Sequence, residues 1–253
     1  LGIRPPVGTR DVMNSMFRLP LQFDPGSEFQ YSNFGYLLLG RLIEDLTGLS
    51  YEAYVQKHVL KPIGVSTMRI GHMEKEKRAP NEVTYYDRRQ HSAIAPYGRH
   101  RGKKVPNTYA RPMQVMDAHG GWIASAIDLA RFACAFDNPA DSKLLNARSI
   151  KTMFARQPGL RGQDTKGKPK AAYYALGWMV RPKAKGTANT WHSGSIQGTS
   201  TLLVRRHDGF NWAILFNANS NPNGKRLISI IDAPMHRVIN SVHSWPKHDL
   251  FEK

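Results

Sequence analysis

The stretch "QYSNFGYLLLG", residues 30–40, sets a polar triplet directly before an apolar run. Phe34, Leu38, Leu42 and Leu46, with Leu37 and Ile43 beside them, recur at helical spacing. Gly48 follows the last of them, where a left-handed residue can end a helix. At the other end, Ser32 or Asn33 can cap the first turn through a side-chain oxygen, with Tyr31 packed alongside. A helix start is also a rigid mount for a side chain that must point into a cleft. Spacing alone leaves both uses of Tyr31 and Asn33 open.

Upstream, Pro5, Pro6, Pro20 and Pro25-Gly26 break the chain into loops, with room for a short helix over residues 10–19. Downstream, Ser50 can cap a second helix over 51–60 that Pro62 would end. Residues 66–112 lack periodicity and read as loops and short strands. Gly120-Gly121 marks a turn. Ser125 with Asp128 forms a capping box, Asp standing in for Glu, ahead of a helix over 126–136. A further short helix fits 146–155, and the glycine-rich, basic segment 159–170 reads as an exposed loop.

From there the pattern changes. "YYALGWMVRP" (173–182), "TSTLLVRRHDG" (199–209) and "NWAILFNAN" (211–219) are three strand-like runs, with Asp208-Gly209 as a hairpin signal. His192-Ser193-Gly194 reads as a glycine-containing turn before the second run. Small residues there, including Ser195, would let a substrate carbonyl approach the backbone, whose N–H groups can polarise it. The tail over 226–242 returns to helical spacing. The order predicts an α+β fold with an antiparallel sheet. We expect one incomplete domain, residues 1–170 mostly helix and loop and residues 171–253 strands with a closing helix.

The bulk composition is that of a folded protein, with 41% hydrophobic and 10% aromatic residues. No apolar run approaches a membrane span. The sequence begins at Leu1, and we read it as cut from something longer. Cys134, the single cysteine, allows no intrachain disulfide and fits a core thiol. The ten histidines form no His-Glu-x-x-His and no Cys/His cluster, so neither a metal nor another cofactor is expected. Nothing assigns chemistry to His119. Gly224-Lys225 lacks the remaining features of a phosphate loop. Net charge is +17, and residues 61–111 hold twelve Lys/Arg against four Asp/Glu. That segment could contact a polyanion, though it lacks the interleaved aromatics of a base-stacking surface.

Five pieces then occur in order: "FDPGSEFQYSNFGYLLLGRLIEDLTGLSYEAYV", "KPIGVSTMRIG", "HGGWIASAIDLARF", "YYALGWMV" and "WHSGSIQGTSTLLVRRHDGFNWAILFNAN". Together they resemble the serine beta-lactamase and penicillin-binding-protein family, in the branch of class C beta-lactamases, D-alanyl-D-alanine carboxypeptidases and related esterases. The resemblance runs from about Phe23 to Asn219. It implies a beta-lactamase/transpeptidase-like fold and a serine acyl-enzyme acting on a small acyl, ester or D-amino-acid peptide substrate. It implies that Tyr31 shuttles the proton between serine and leaving group, and that Asn33 bonds substrate and catalytic lysine. His192, Ser193 and Gly194 stand where the family carries Lys-Thr-Gly on a sheet edge, and the Ser195 N–H matches an oxyanion-hole donor. The family also suggests a cell-envelope, periplasmic or secreted location.

One element departs from the pattern. The family's nucleophile is the serine of Ser-x-x-Lys, upstream of the tyrosine, and no such motif precedes Tyr31. The match at Ser244-Trp245-Pro246-Lys247 lies outside the family order and carries a proline. The expectation is therefore a site whose nucleophile is not in this chain. A non-catalytic binding protein on the same fold is the alternative reading.

Overall fold

The computed structural model describes residues 7–87, 89–157, 164, 166–249 and 251. Residues 159–163 and 165 of the segment 159–170, and Arg88 in the basic segment, lie outside the described residues.

Helix α1 (Thr9–Met16) leads to α2 (Asn33–Thr47). Ser32 is the cap of α2: its backbone is extended and its hydroxyl accepts from Gly35 N–H at 3.0 Å. Gly48 closes the helix at φ 68°, its N–H donating to the Glu44 carbonyl at 2.9 Å. Helix α3 (Tyr51–Val55) starts from the Ser50 cap and runs on through a widened turn at Gln56–Leu60 into a tight one at Lys61–Ile63. Pro62 is therefore not the stop that its sequence position suggests. It occupies the first residues of the tight turn, where a missing N–H costs little. Gly64 ends the run at φ 73°.

Two small ladders follow. Strand β1 (Arg69–Ile70) pairs with β4 (Trp122–Ile123), and β2 (Ser92–Ile94) with β3 (Lys104–Pro106), both antiparallel. Between them α4 (Asp117–Gly120) lies against α2. The approach is close: a Cβ on Gly40 would meet Ala118 Cβ at 2.7 Å. Arg41 bonds Asp117 across the same contact. Helix α5 (Ala126–Cys134) begins with the capping box of Ser125 and Asp128, and α6 (Ala147–Phe154) with the Asn146 side chain.

The main sheet has five strands in chain order, all neighbours antiparallel: β5 (Tyr173–Tyr174), β6 (Met179–Pro182), β7 (Ala188–Ile196), β8 (Thr199–Arg205) and β9 (Asn211–Phe216). Two sequence expectations are corrected here. "YYALGWMVRP" is not one strand but two, reversed at Gly177 with φ 84°. His192-Ser193-Gly194 is not a turn ahead of a strand: it pairs with β8 on one side, while the β6 ladder stops at Trp191 and leaves its other side without a ladder partner among the described residues, a local sheet edge as the resemblance implies. It belongs to β7, the central strand, which its small polar residues concealed. The ladder with β8 holds that segment extended whatever its own propensity, continuing the stretch up to Trp191 that β6 pairs as well.

Cross-strand partners share a face. Trp191, Val204 and Trp212 lie on one side, covered by α7 (Leu227–Ser241) around buried Leu202 and Ile239. His192 and Leu203 lie on the other. There Phe136, Ile150, Tyr173, Trp178 and Val180 form the core beneath α5 and α6. Each fully buried large side chain contributes about 1.5–3 kcal/mol. The result is a helical region, a C-terminal antiparallel sheet and a closing helix, the α+β arrangement expected from the sequence.

Candidate active site

Tyr31 sits one residue outside the capped turn of α2, so the cap fixes its backbone while its ring stays half exposed. The ring faces β5 and β7. Its centroid lies 5.8 Å from that of Tyr174, edge to face, and 6.4 Å from that of His192. Phe29 adds a third aromatic wall, 5.7 Å from Tyr174. These residues, with Lys170, Ala172, Tyr173, Met179 and Ser193, line a cleft of about 410 Å³.

A hydrogen-bond chain runs along one side of it. Tyr174 Oη and His192 Nε2 are 2.8 Å apart, and Tyr36 bonds the Tyr174 phenol. Burial, reinforced by the neighbouring Tyr36 and Tyr31 phenols, pushes the Tyr174 hydroxyl well above the usual phenol range. It therefore keeps its proton. Burial pushes His192 down, so the ring is neutral near pH 7; a hydrogen bond to the Ser193 backbone acts against this by favouring the protonated ring. We assign the ring proton to Nδ1, facing Ser193, and Nε2 as the acceptor from Tyr174 O–H. Both nitrogens of His192 are thus engaged. The Tyr31 hydroxyl, by contrast, has no hydrogen-bond partner among the described residues and points at a cleft with room for a substrate.

The structure brings together Tyr31, His192 and Ser193. Asn33 is the first residue of α2, exposed and not part of the cleft lining. Gly194 and Ser195 continue β7 beyond Ser193. Gly194 faces Thr201, whose Oγ1 would lie 2.7 Å from an added Cβ. Tyr174, Tyr36 and Phe29 carried no role in the sequence reading. All three stand in quoted motifs, Phe29 and Tyr36 in "FDPGSEFQYSNFGYLLLGRLIEDLTGLSYEAYV" and Tyr174 in "YYALGWMV", but only the folded register joins them to His192.

Ser244-Trp245-Pro246-Lys247 follows α7 as irregular chain. Trp245 stacks 5.2 Å from Phe210 at the β8–β9 turn, among the α7-side residues of the sheet. No residue of the motif lines the cleft. His119 has a buried Nδ1 without a partner among the described residues and is also pushed down by burial. In the basic segment, Lys77 pairs with Glu74 and Arg99 with Glu76, Arg78 lies over the Tyr109 ring, and Arg111 bonds Gln197. Among the described residues no three His, Cys, Asp or Glu side chains form a metal site, and no helix is long and apolar enough to cross a membrane.

Residues 3–233 match the family described as Beta-lactamase. Protein flp of Staphylococcus aureus (strain MW2) is 28% identical over 213 residues, covering 83% of this chain and 37% of that protein. The human serine beta-lactamase-like protein LACTB, mitochondrial, is 28% identical over 205 residues, covering 73% and 34%. The chain thus spans about a third of the length of these curated relatives. Among solved structures, D-amino acid amidase from Ochrobactrum anthropi SV3 superposes with a TM-score of 0.66 at 18% identity, covering 96% of this chain and 67% of that one.

Proposed function

The chain belongs to the Beta-lactamase family, a family of serine hydrolases, and from that premise we propose that it carries the proton-transfer and carbonyl-binding side of a cleft for a small acyl substrate. One observation carries the reading. Tyr31 is a phenol without a hydrogen-bond partner among the described residues, held at a capped helix start and facing a histidine whose two ring nitrogens are already engaged. In this reading Tyr31 takes the proton of the attacking serine and delivers it to the leaving group. His192 and Tyr174 shape the wall against which the acyl part lies. The backbone at Ser195 polarises the carbonyl, and Asn33 reaches the substrate from the helix start.

The nucleophile in this proposal comes from outside these 253 residues. No Ser-x-x-Lys precedes Tyr31, and Ser244 stands away from the cleft. The preferred substrate is an ester or a D-amino-acid amide rather than a carboxylate-bearing lactam. Neutral His192 offers no fixed cation where the family carries lysine. Lys170, the cation that does line the cleft, is exposed and screened by water. The aromatic wall of Phe29, Tyr31 and Tyr174 suits an apolar side chain, in keeping with the D-amino acid amidase likeness.

The whole protein is expected to be labelled by a fluorophosphonate and to hydrolyse a chromogenic ester or a D-phenylalanine anilide faster than a chromogenic cephalosporin. Residues 1–253 alone are expected to take no active-site label. Labelling at Ser244, or no turnover of any of the three substrates by the whole protein, would overturn the reading.

A further inference from the structure

A second cavity, of about 440 Å³, opens over the α7 side of the sheet and shares no lining residue with the cleft. It is built where four pieces of chain converge: the end of β6 with its following turn (Arg181, Lys183), the start of β7 (Asn189), the β8–β9 turn (Arg206, His207, Asp208) and α7 (His236, Asn240).

Its base is rigid. Arg206 is 7% exposed, and three of its N–H groups are fixed. Nε donates to Asp208 Oδ1 at 2.6 Å, Nη2 to Asp208 Oδ2 at 2.5 Å, and Nη1 to Asn240 Oδ1 at 2.7 Å. Asp208, the carboxylate in the lining, is therefore already neutralised by a bidentate partner. Asn240, its oxygen held, keeps an amide NH2 as donor. His207 is tied to Asn189 Oδ1 through both its backbone N–H, at 3.0 Å, and its ring Nδ1, at 2.9 Å.

Two cations remain. Arg181 and Lys183 have no acidic partner among the described residues; Arg181 lies 5.1 Å over the Trp191 ring, and Lys183 is exposed. His236 registers their field. Burial pushes it down first, Asp232 at 3.8 Å pulls it back up, and Arg206, Arg181 and Lys183 push it down again.

We propose that this cavity binds a phosphate group carried by a small ligand. Arg181, Lys183 and Arg206 against Asp208 leave two positive charges, which match a phosphate monoester near its dianionic form at neutral pH. The Arg181 fork, the Lys183 ammonium and the Asn240 amide supply donors from several directions, as a group with three terminal oxygens requires. The volume exceeds that of a bare phosphate and leaves room for the remainder of a small ester.

Calorimetric titration of the purified protein with inorganic phosphate and with glycerol 3-phosphate, at fixed ionic strength, tests this. The expected result is saturable one-to-one binding that weakens by about tenfold or more in Arg181→Gln/Lys183→Gln and stays unchanged in Lys57→Gln/Lys61→Gln, which removes the same charge elsewhere. His236 should also titrate at higher pH with ligand bound. Tighter binding of glycerol 3-phosphate identifies an ester as the ligand, and tighter binding of inorganic phosphate the free anion. Binding that fails to saturate at millimolar ligand, or equal loss in both double variants, overturns the proposal. Arg181 and Lys183 are exposed, so their replacement leaves the fold intact; Lys183→Gln alone, which touches no aromatic ring, provides the second reading.

Discussion

Tyr174→Phe removes a single hydroxyl from the centre of the cleft and leaves the rest of the ring. The edge contacts with Tyr31, Phe29 and His192, at 5.7–5.8 Å, survive. What is lost is the donor to His192 Nε2 at 2.8 Å and the hydrogen bond shared with Tyr36. A net hydrogen bond is worth about 1 kcal/mol, and stranding a partly buried partner adds about another. The stability cost is therefore about 2 kcal/mol, or about 4–8 °C in melting temperature for a chain of this size. The sharper readout is the His192 ring itself, followed by NMR titration. A phenol donating to Nε2 favours the neutral imidazole, so its removal must raise the His192 titration toward the ordinary histidine value. Had the ring been the donor and Tyr174 the acceptor, the phenol would favour the protonated ring, and its removal would lower the titration further. The reasoning therefore predicts a sign. It also predicts, for the whole protein, a fall in kcat/KM of about tenfold, the equivalent of about 1.4 kcal/mol. A His192 titration that moves down, or one that stays put with activity unchanged, refutes the assigned chain from Tyr36 through Tyr174 to His192.

Three further outcomes follow from the geometry. Gly194→Ala sets a Cβ against Thr201 Oγ1 at 2.7 Å and should cost about 1–3 kcal/mol by thermal melting; adding Thr201→Ala should recover most of that, and no recovery would mean that the clash is elsewhere. Arg41→Ala leaves Asp117, only 11% exposed at its side chain, without its cation at the α2–α4 contact. A loss of about 3 kcal/mol in urea unfolding is expected, and a change within experimental error would place the pair among inconsequential surface contacts. Finally, burial lowers His119, His192 and His236 from the usual value of 6.5. The unfolded chain then binds more protons than the native one below that pH, so stability is full above about pH 6.5 and declines as pH falls toward the depressed native values. The urea midpoint should drop between pH 7.5 and 5.5, before the carboxylates titrate; a midpoint that holds or rises contradicts the buried neutral rings.

Where local chemistry dictates local structure, the sequence could be read directly. Ser32 and Gly48 bracket α2 because a hydroxyl satisfies an orphan N–H at one end and a glycine accepts φ 68° at the other. Ser125 with Asp128, and Gly209 at φ 93° in the β8–β9 turn, work the same way. Strand β7 could not be read so. Its stretch from Asn189 to Ser195 is rich in small and polar residues, and on its own it suits a turn. Asn189 and Thr190 are nevertheless buried, because β6 pairs with both and β8 with Thr190 on the other side, and β8 alone carries the strand on through Ser195. The strand is imposed by pairing, which no local pattern records. Pro62 misled for the related reason that a proline is tolerated in the first turn of a tight helix as well as after the end of a longer one.

The same division explains the site. Tyr31 and His192 are named, and Tyr31 given its proton-shuttle role, through the family resemblance, whereas residue type and spacing alone leave their roles open. The engagement of His192 by Tyr174 depends on the β5–β6–β7 register, which sets a phenol from an edge hairpin against a ring on the central strand. That contact is what separates the two candidate proton carriers. A histidine with both nitrogens committed would have to break a hydrogen bond before moving a proton, whereas Tyr31 would not. The cap supplies the rest. Because Ser32 satisfies the first turn of α2, the residue just outside it is held by the helix without being inside it, so Tyr31 has a fixed backbone and an unobstructed hydroxyl. Capping and catalysis, which compete as readings of "QYSNFGYLLLG", are compatible in this geometry: Ser32 anchors the turn, and Tyr31, the proposed proton carrier, projects from the anchor.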